Sequence, residues 1–237
     1  MIGMFMDADT PNFIFKGINA VMDMDCIIET ELPEISPNKR YEEITVLGRS
    51  GSLHETFDDY EPYNLEVESV TIPYDRLREV KQWLRGRGQL ITHNDYNTYR
   101  DVICMMDSPT EFENEWGYFY TFDLTFRCQP FKRKVNEQSL PFTTSLVFHD
   151  SGDETAKPYL ELKPTGGNVK ITINSTSLTI TNSSTEVIKV DCEHGKIIQG
   201  SKTLFSKGEW PLVRPGENKL TTTGVSSGTI LRRSVYL

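Results

Sequence analysis

The chain has 237 residues, 37% hydrophobic and 25% charged, which is enough to bury one large core or two ordinary ones and is not a disordered composition. Its formal charge of −9 is uneven: residues 1–138 hold 14 Lys+Arg against 25 Asp+Glu, whereas residues 139–237 hold 11 against 9. An acidic first part excludes a nucleic-acid grip built on phosphate neutralisation, and no apolar run has the length of a membrane-spanning helix.

The opening MIGMFMDADTPNF has no basic residue and carries Asp7 and Asp9, so it is not expected to act as a secretory signal. NAVMDMDCII (19–28) and YEEITVL (41–47) alternate well enough to predict strands with one face buried. In YNLEVESVTI the alternation is clearer, with Tyr63, Leu65 and Val67 opposite Asn64, Glu66 and Glu68. IPYDRLREVKQWLRGRG predicts an amphipathic helix of about three turns: Pro73 and Asp75 suit its start, and Leu77, Val80, Trp83 and Leu84 share one face. Gly86 is placed to end it.

GQLITH and YRDVICMM read as short strands. The strongest strand signal follows in GYFYTFDLTFRCQPF, with Tyr118, Tyr120, Phe122, Leu124, Phe126 and Cys128 on one face and Asp123, Thr125 and Arg127 on the other. Pro130 and the basic run Lys132–Lys134 interrupt that pattern, which places a linker near 132–140 and domains at 1–135 and 139–237. Beyond it NVKITI, SLTIT, EVIKV, NKLTTT and GTILRRSVYL predict short strands between turn clusters, the pattern of an antiparallel sandwich or barrel. The fold class is therefore mainly β, with one helix in the N-terminal domain.

Chemistry-bearing motifs are sparse. TVLGRSGSL (45–53) brackets Arg49 and Ser50 with Gly48 and Gly51, but it lacks the spacing and the lysine with which a phosphate loop wraps and neutralises its ligand. RGRGQL (85–90) has only a GxG and follows a helix, so both segments are expected to be turns. The cysteines at 26, 104, 128 and 192 lack metal or redox spacing and sit in apolar stretches, which predicts free, buried thiols. His54, His93, His149 and His194 are scattered without HExxH or HxH spacing. DCEH (191–194) gathers an acid, a thiol, an acid and an imidazole where a strand ends. NST (174–176) and NSS (182–184) match glycosylation acceptors that a cytoplasmic product would not use. Most aromatics fall at strand period and read as core; Tyr96, Tyr99, Trp116 and Trp210 lie in or near turn-rich segments and are the exceptions. No catalytic, cofactor-binding or metal-binding residue is assigned, and no cofactor is expected.

Taken in order, these segments resemble the distal tail (Dit) proteins of long, flexible-tailed phages and their prophage relatives. FIFKGINA resembles the family's start, and ELPEISPNKRYEEITVLGRSGSL its most recognisable stretch, closing on a GR-x-G turn at Gly48–Gly51. WLRGRGQL looks like its W-L-x-G-x-G-x-L element, and FRCQPF, with Cys128 and Pro130, like the close of its N-terminal domain. KVDCEHGKII and GEWPLVRPGENKL resemble its later Asp-containing strand and the PGxN turn, here Pro215, Gly216 and Asn218. The chain departs from the pattern where GRSG lacks an acidic third residue, and where no long inserted arm of the kind that holds receptor-binding proteins is visible.

The resemblance implies an N-terminal β-sandwich-plus-helix ring domain followed by an all-β, galectin-like sandwich. It implies a non-enzymatic structural virion protein at the tail tip, made and assembled in the bacterial host cytoplasm. Six copies would form a ring at the distal end of the tail or baseplate, with the C-terminal domains projecting outward. The partners so implied are the chain itself, the major tail tube protein, a tail-associated adsorption or lysin protein and a receptor-binding protein. DNA would pass through the channel without specific binding, past a wall to which Asp58, Asp59, Glu61, Glu66 and Glu68 are candidate contributors, and no membrane is involved. Arg49 is expected to hold a neighbouring carboxylate. The competing reading is a cell-wall carbohydrate-binding module using Tyr159 and Trp210 of the second domain; a hydrolase using Asp191 and His194 stands behind it.

Overall fold

The computed structural model describes residues 9–104, 110–182 and 184–237. They divide into two compact units, one formed by residues up to Val135 together with Leu237 and the other by Asn136–Tyr236. Among the described residues the chain is mostly β with two short α-helices.

In the first unit the strands are β1 (Phe13–Phe15), β2 (Ile18–Asn19), β3 (Ile27–Ile28), β4 (Lys39–Thr45), β5 (Ser52–Tyr60), β6 (Tyr63–Pro73), β7 (Gly86–Thr92), β8 (Asp95–Cys104), β9 (Glu113–Glu115) and β10 (Phe119–Lys134). The main sheet runs β2-β1-β7-β8-β10-β6-β3, with β9 paired to the start of β10. Between β6 and β7 a 3-10 turn (Tyr74–Arg76) leads into helix α2 (Leu77–Trp83). Together they make about three turns and bury Val80, Trp83 and Leu84, the face read from the sequence. Trp83 anchors this packing. Its indole N–H donates to the Phe15 carbonyl at 2.8 Å, and its ring stacks on Phe13 with centroids 5.6 Å apart. Phe126 meets both Phe13 and Phe15, so one aromatic knot joins β1, β10 and α2. Gly88, inside β7, has no room for a Cβ, which would lie 2.7 Å from the Phe15 ring.

Four expectations are corrected here. NAVMDMDCII is not one strand: between Asn19 of β2 and Ile27–Ile28 of β3, Ala20–Met24 forms helix α1, because the Asn19 side chain caps the N–H groups of Val21 and Met22 and Asp25 leaves the helix in the left-handed region. Gly86 does not end α2, which stops at Trp83; with φ +69° it opens β7. Tyr118 lies before β10 and is exposed rather than core. The basic run 132–134 opens no linker, because β10 continues through Lys134 and Lys132 is buried. A bulge between Cys128 and Lys132 absorbs Pro130, which has no N–H for the ladder. Met105 and Met106, the end of the strand expected after Tyr99, lie outside the described residues, as do Met1–Ala8.

The second unit contains β11 (Leu140–Phe142), β12 (Ser145–Asp150), β13 (Tyr159–Pro164), β14 (Val169–Ile173), β15 (Thr176–Ile180) and β16 (Ile188–Asp191). They are followed by β17 (Lys196–Gln199), β18 (Lys202–Thr203), β19 (Ser206–Gly208), β20 (Gly216–Thr223) and β21 (Val225–Leu231). One antiparallel sheet runs β11-β21-β13-β16-β17-β18 and the other β12-β20-β14-β15-β19. Leu160, Leu162, Ile188 and Val190 from the first sheet are buried, as are Ile171, Ile173, Leu178, Ile180 and Leu220 from the second. Alternate residues are thus core on both sheets, the arrangement of a sandwich.

Candidate functional site

β4 and β5 pair only with each other and form a two-stranded arm separate from the main sheet. Its tip is the GRSG turn, with Gly48 at φ +79° and Gly51 at φ +84°, and the Arg49 N–H donating to the Val46 carbonyl at 3.2 Å. Among the described residues no carboxylate lies in ion-pair range of Arg49, so its expected intrachain partner is not there. The arm buries neither face, which corrects the half-buried strand expected at YEEITVL: with no sheet or helix packed on it, alternation in β4 leads to no burial. One face carries Tyr41, Thr56, Glu43 and His54; the other sets Ile44 against Leu53 beside the opposed pair Glu42 and Glu55. Val46, Phe57 and a completely exposed Leu47 extend the apolar surface. An isolated hairpin of this kind is marginal in water by itself, and such a run of exposed apolar side chains is characteristic of a contact surface.

The arm's base is held firmly. At 3.0 Å Arg40 pairs with Asp59, the Lys39 ammonium lies over the Tyr60 ring, and Tyr60 meets Phe131 of β10 edge-on. The chain entering the arm, residues 29–38, has no regular secondary structure but is pinned by side chains. Glu31 Oε1 lies 2.7 Å from Nε2 of the fully buried His93, and Asn94 donates to the Leu32 carbonyl at 3.1 Å. Glu34 bridges two buried cations, Arg100 at 2.9 Å and Lys132. The Arg100 guanidinium also donates to the Tyr63 hydroxyl at 3.0 Å and to Thr92 at 3.2 Å, while Asp95 stands 3.5 Å from Lys132. Buried cations persist only when paired and hydrogen-bonded, so this cluster fixes where the arm leaves the sheet. Sequence reading missed it. The only available signal was charge, Arg100 and Lys132, inside otherwise apolar strands.

In the second unit the DCEH cluster forms a locked turn. The Asp191 carboxylate accepts the backbone N–H groups of Glu193 and His194 and faces the His194 ring at 3.1 Å. Arg233 grips it with both terminal nitrogens, at 2.7 and 3.2 Å, and reaches Glu193 as well. Burial works to raise the Asp191 carboxyl, but the Arg233 and His194 bonds outweigh it and hold the group well below the usual carboxylate range. The Cys192 thiol is pushed up to about 12 by burial and secondarily by Asp191. A carboxylate so fully engaged is suited to holding a turn. Arg233 also covers the Tyr159 ring at 5.3 Å, and Trp210 is half-buried beside Gly195, so the two candidate sugar platforms are already packed against. All four cysteines are buried free thiols. Asn174 and Asn182 of the glycosylation-like motifs use their side-chain amides within the fold, on Asn218 and on the carbonyls of Gly167 and Ser184. Among the described residues no group of three or more His, Cys, Asp or Glu is placed to hold a metal ion, and no helix is long and apolar enough to cross a membrane.

No protein-family model matches the sequence, and no curated protein matches it either. Among solved structures, the Dit protein of phage SPP1 superposes with a TM-score of 0.71 over 94% of this chain and 98% of that one, at 14% identity. The chain has a distal tail protein fold. That protein is described as a paradigm of the hub adsorption apparatus in phages infecting Gram-positive bacteria. Because the likeness spans nearly both chains, both units of this chain, and not the sandwich alone, have counterparts in the distal tail fold.

Proposed function

We propose that this chain is the hub of a phage tail tip: six copies close a ring through one repeated head-to-tail contact, with no catalytic step. One face of the ring meets the tail tube protein and the other a tail-associated adsorption protein, and DNA passes through the channel without specific binding. Receptor-binding proteins attach at the same hub. The observation that carries the reading is the β4–β5 arm, rigidly based and apolar on its outer half, within a chain whose fold is that of a hub protein. A second copy is the natural cover for such an arm, because each protomer then supplies and receives the same contact. The two units described above serve as ring-forming and peripheral modules respectively.

The test is the mass of the purified protein in solution by native mass spectrometry, read with negative-stain images. The expected result is a closed hexamer that Leu47→Asp with Leu53→Asp converts to a folded monomer. A wild-type protein that stays monomeric at high concentration overturns the ring.

A further inference from the structure

Apart from the arm, the first unit carries two surface features of opposite sign on the two faces of its sheet, adjoining at one end where the Tyr74 N–H donates to the Tyr118 carbonyl at 3.0 Å. The first is the turn from β9 to β10. Successive positive φ values, 57° at Trp116 and 79° at Gly117, give a tight hairpin turn. It is fastened by the Gly117 N–H to Asn114 Oδ1 at 2.8 Å and the Tyr118 N–H to the Glu115 carbonyl at 3.0 Å. This fixed tip presents Trp116, 92% exposed, and Tyr118, 74% exposed. It walls an open cleft of about 660 Å³ floored by Ser69, Thr71 and Thr121, with Glu29 and Glu115 on its rim. Glu113, two residues along β9, is exposed as well.

The second feature lies across the layer. Val70, Ile72 and Phe122 point from the sheet into the core shared with Val80 and Trp83 of α2, so Thr71 and Thr121 face the other way. On its outer side α2 forms an open cleft of about 690 Å³ lined by Tyr74, Leu77, Arg78, Lys81 and Arg85, three cations against the single carboxylate of Asp75. Lys81 lies over the Phe112 ring, whereas Arg78 and Arg85 have no carboxylate partner among the described residues.

A head-to-tail ring needs two different, mutually complementary patches on each protomer, facing in different directions. Trp and Tyr anchors seated among Arg side chains are the composition that carries interface energy, and opposite charge fixes the register. We infer that the Trp116–Tyr118 tip of one copy seats in the α2 cleft of the next, with Glu113 and Glu115 facing Arg78 and Arg85. This contact rests on the ring reading and is separate from the arm.

Two charge-swapped proteins test it: Glu113→Arg with Glu115→Arg, and Arg78→Glu with Arg85→Glu. All four positions are exposed, so both variants should keep the wild-type unfolding midpoint. Each alone should lose the hexamer seen by native mass spectrometry. Mixed in equal amounts they should regain it as rings of alternating protomers, and the quadruple variant should regain it alone. Independently, Trp116→Phe should abolish the protection from acrylamide quenching that wild-type fluorescence gains on assembly. Hexamers from both swapped proteins, or loss without recovery in the mixture and the quadruple variant, overturn this contact while a wild-type hexamer leaves the ring standing. A monomeric wild type overturns both.

Discussion

Asp123 Oδ1 accepts the backbone N–H of Ser69 at 2.9 Å, at the point where β6 and β10 fall out of step. Leu124 pairs with Val67 and Phe122 with Val70, so Glu68 and Ser69 together oppose Asp123 alone. This is a β-bulge, and Ser69 takes φ +55° to make it. Its consequence is a change of parity: β6 buries Leu65 and Val67 before the bulge and Val70 and Ile72 after it. Asp123→Ala should therefore cost about 1–2 kcal/mol by releasing a left-handed serine from its charged acceptor. Ser69→Gly should be neutral or slightly stabilising, since glycine adopts that φ freely. Urea denaturation of both variants checks the pair, and an unchanged Asp123→Ala midpoint refutes the cap.

The bulge also marks where the sequence stops being readable. Alternation from Tyr63 to Val67 places each side chain correctly, because a strand with one buried face writes its own period. Nothing in VESVTI announces that two residues will share one partner, since the reason, Asp123, lies 54 residues away. Longer separations, 66 and 98 residues, hide the Glu34–Arg100–Lys132 cluster and make Lys132 look like linker. Helix α1 is short and depends on one capping asparagine, too little periodicity to outweigh apparent alternation. What was legible, α2, β10 and the short alternating strands of the second unit, consists of elements whose burial is dictated locally. The arm is an intermediate case: its strands and glycine turn were visible, but their isolation from the main sheet was not, because exposure on both faces is a tertiary property.

Removing Glu34 leaves two buried cations without their shared carboxylate. Glu34→Ala should cost about 3 kcal/mol, the low end for a broken buried pair because Glu34 itself is half open to water. Lys132→Met in the same protein removes one of the stranded charges, so the double variant should be less destabilised than the sum of the single ones. Strict additivity in chemical denaturation would show that the cluster does not act as a unit.

The Asp191 turn predicts an acid-side loss of stability in the second unit. Its folded-state carboxyl is held below the ordinary carboxylate value, so the anion's stabilisation is full above about pH 4–5 and declines as pH falls toward the lower folded value. Asp191→Asn should cost about 2 kcal/mol at pH 7, the scale of hydrogen bonds to a charged group, and the gap from wild type should narrow below pH 4. Trp210, packed beside Gly195 at the same turn, gives a local fluorescence readout. A gap that stays constant between pH 7 and pH 3 would contradict the ion-pair account.

The proposed passage of DNA makes a final demand on charge. A basic channel would hold DNA by counterion release and slow it, whereas an acidic one repels the backbone. Asp58, Glu61, Glu66 and Glu68 are all exposed in the first unit, and Asp59 is the one of the five candidates committed to a cation, Arg40. The intact protein should therefore show no measurable affinity for double-stranded DNA at physiological salt. Replacing Asp58, Glu61, Glu66 and Glu68 together with Lys should create binding whose logarithm falls linearly with the logarithm of salt concentration, with a slope that counts the lysines reaching phosphates. If the wild type already binds DNA tightly, the acids do not face the path DNA takes. If the four-lysine protein forms rings yet gains no affinity, these four side chains lie outside the channel, and the wall must be built from other parts of the first unit.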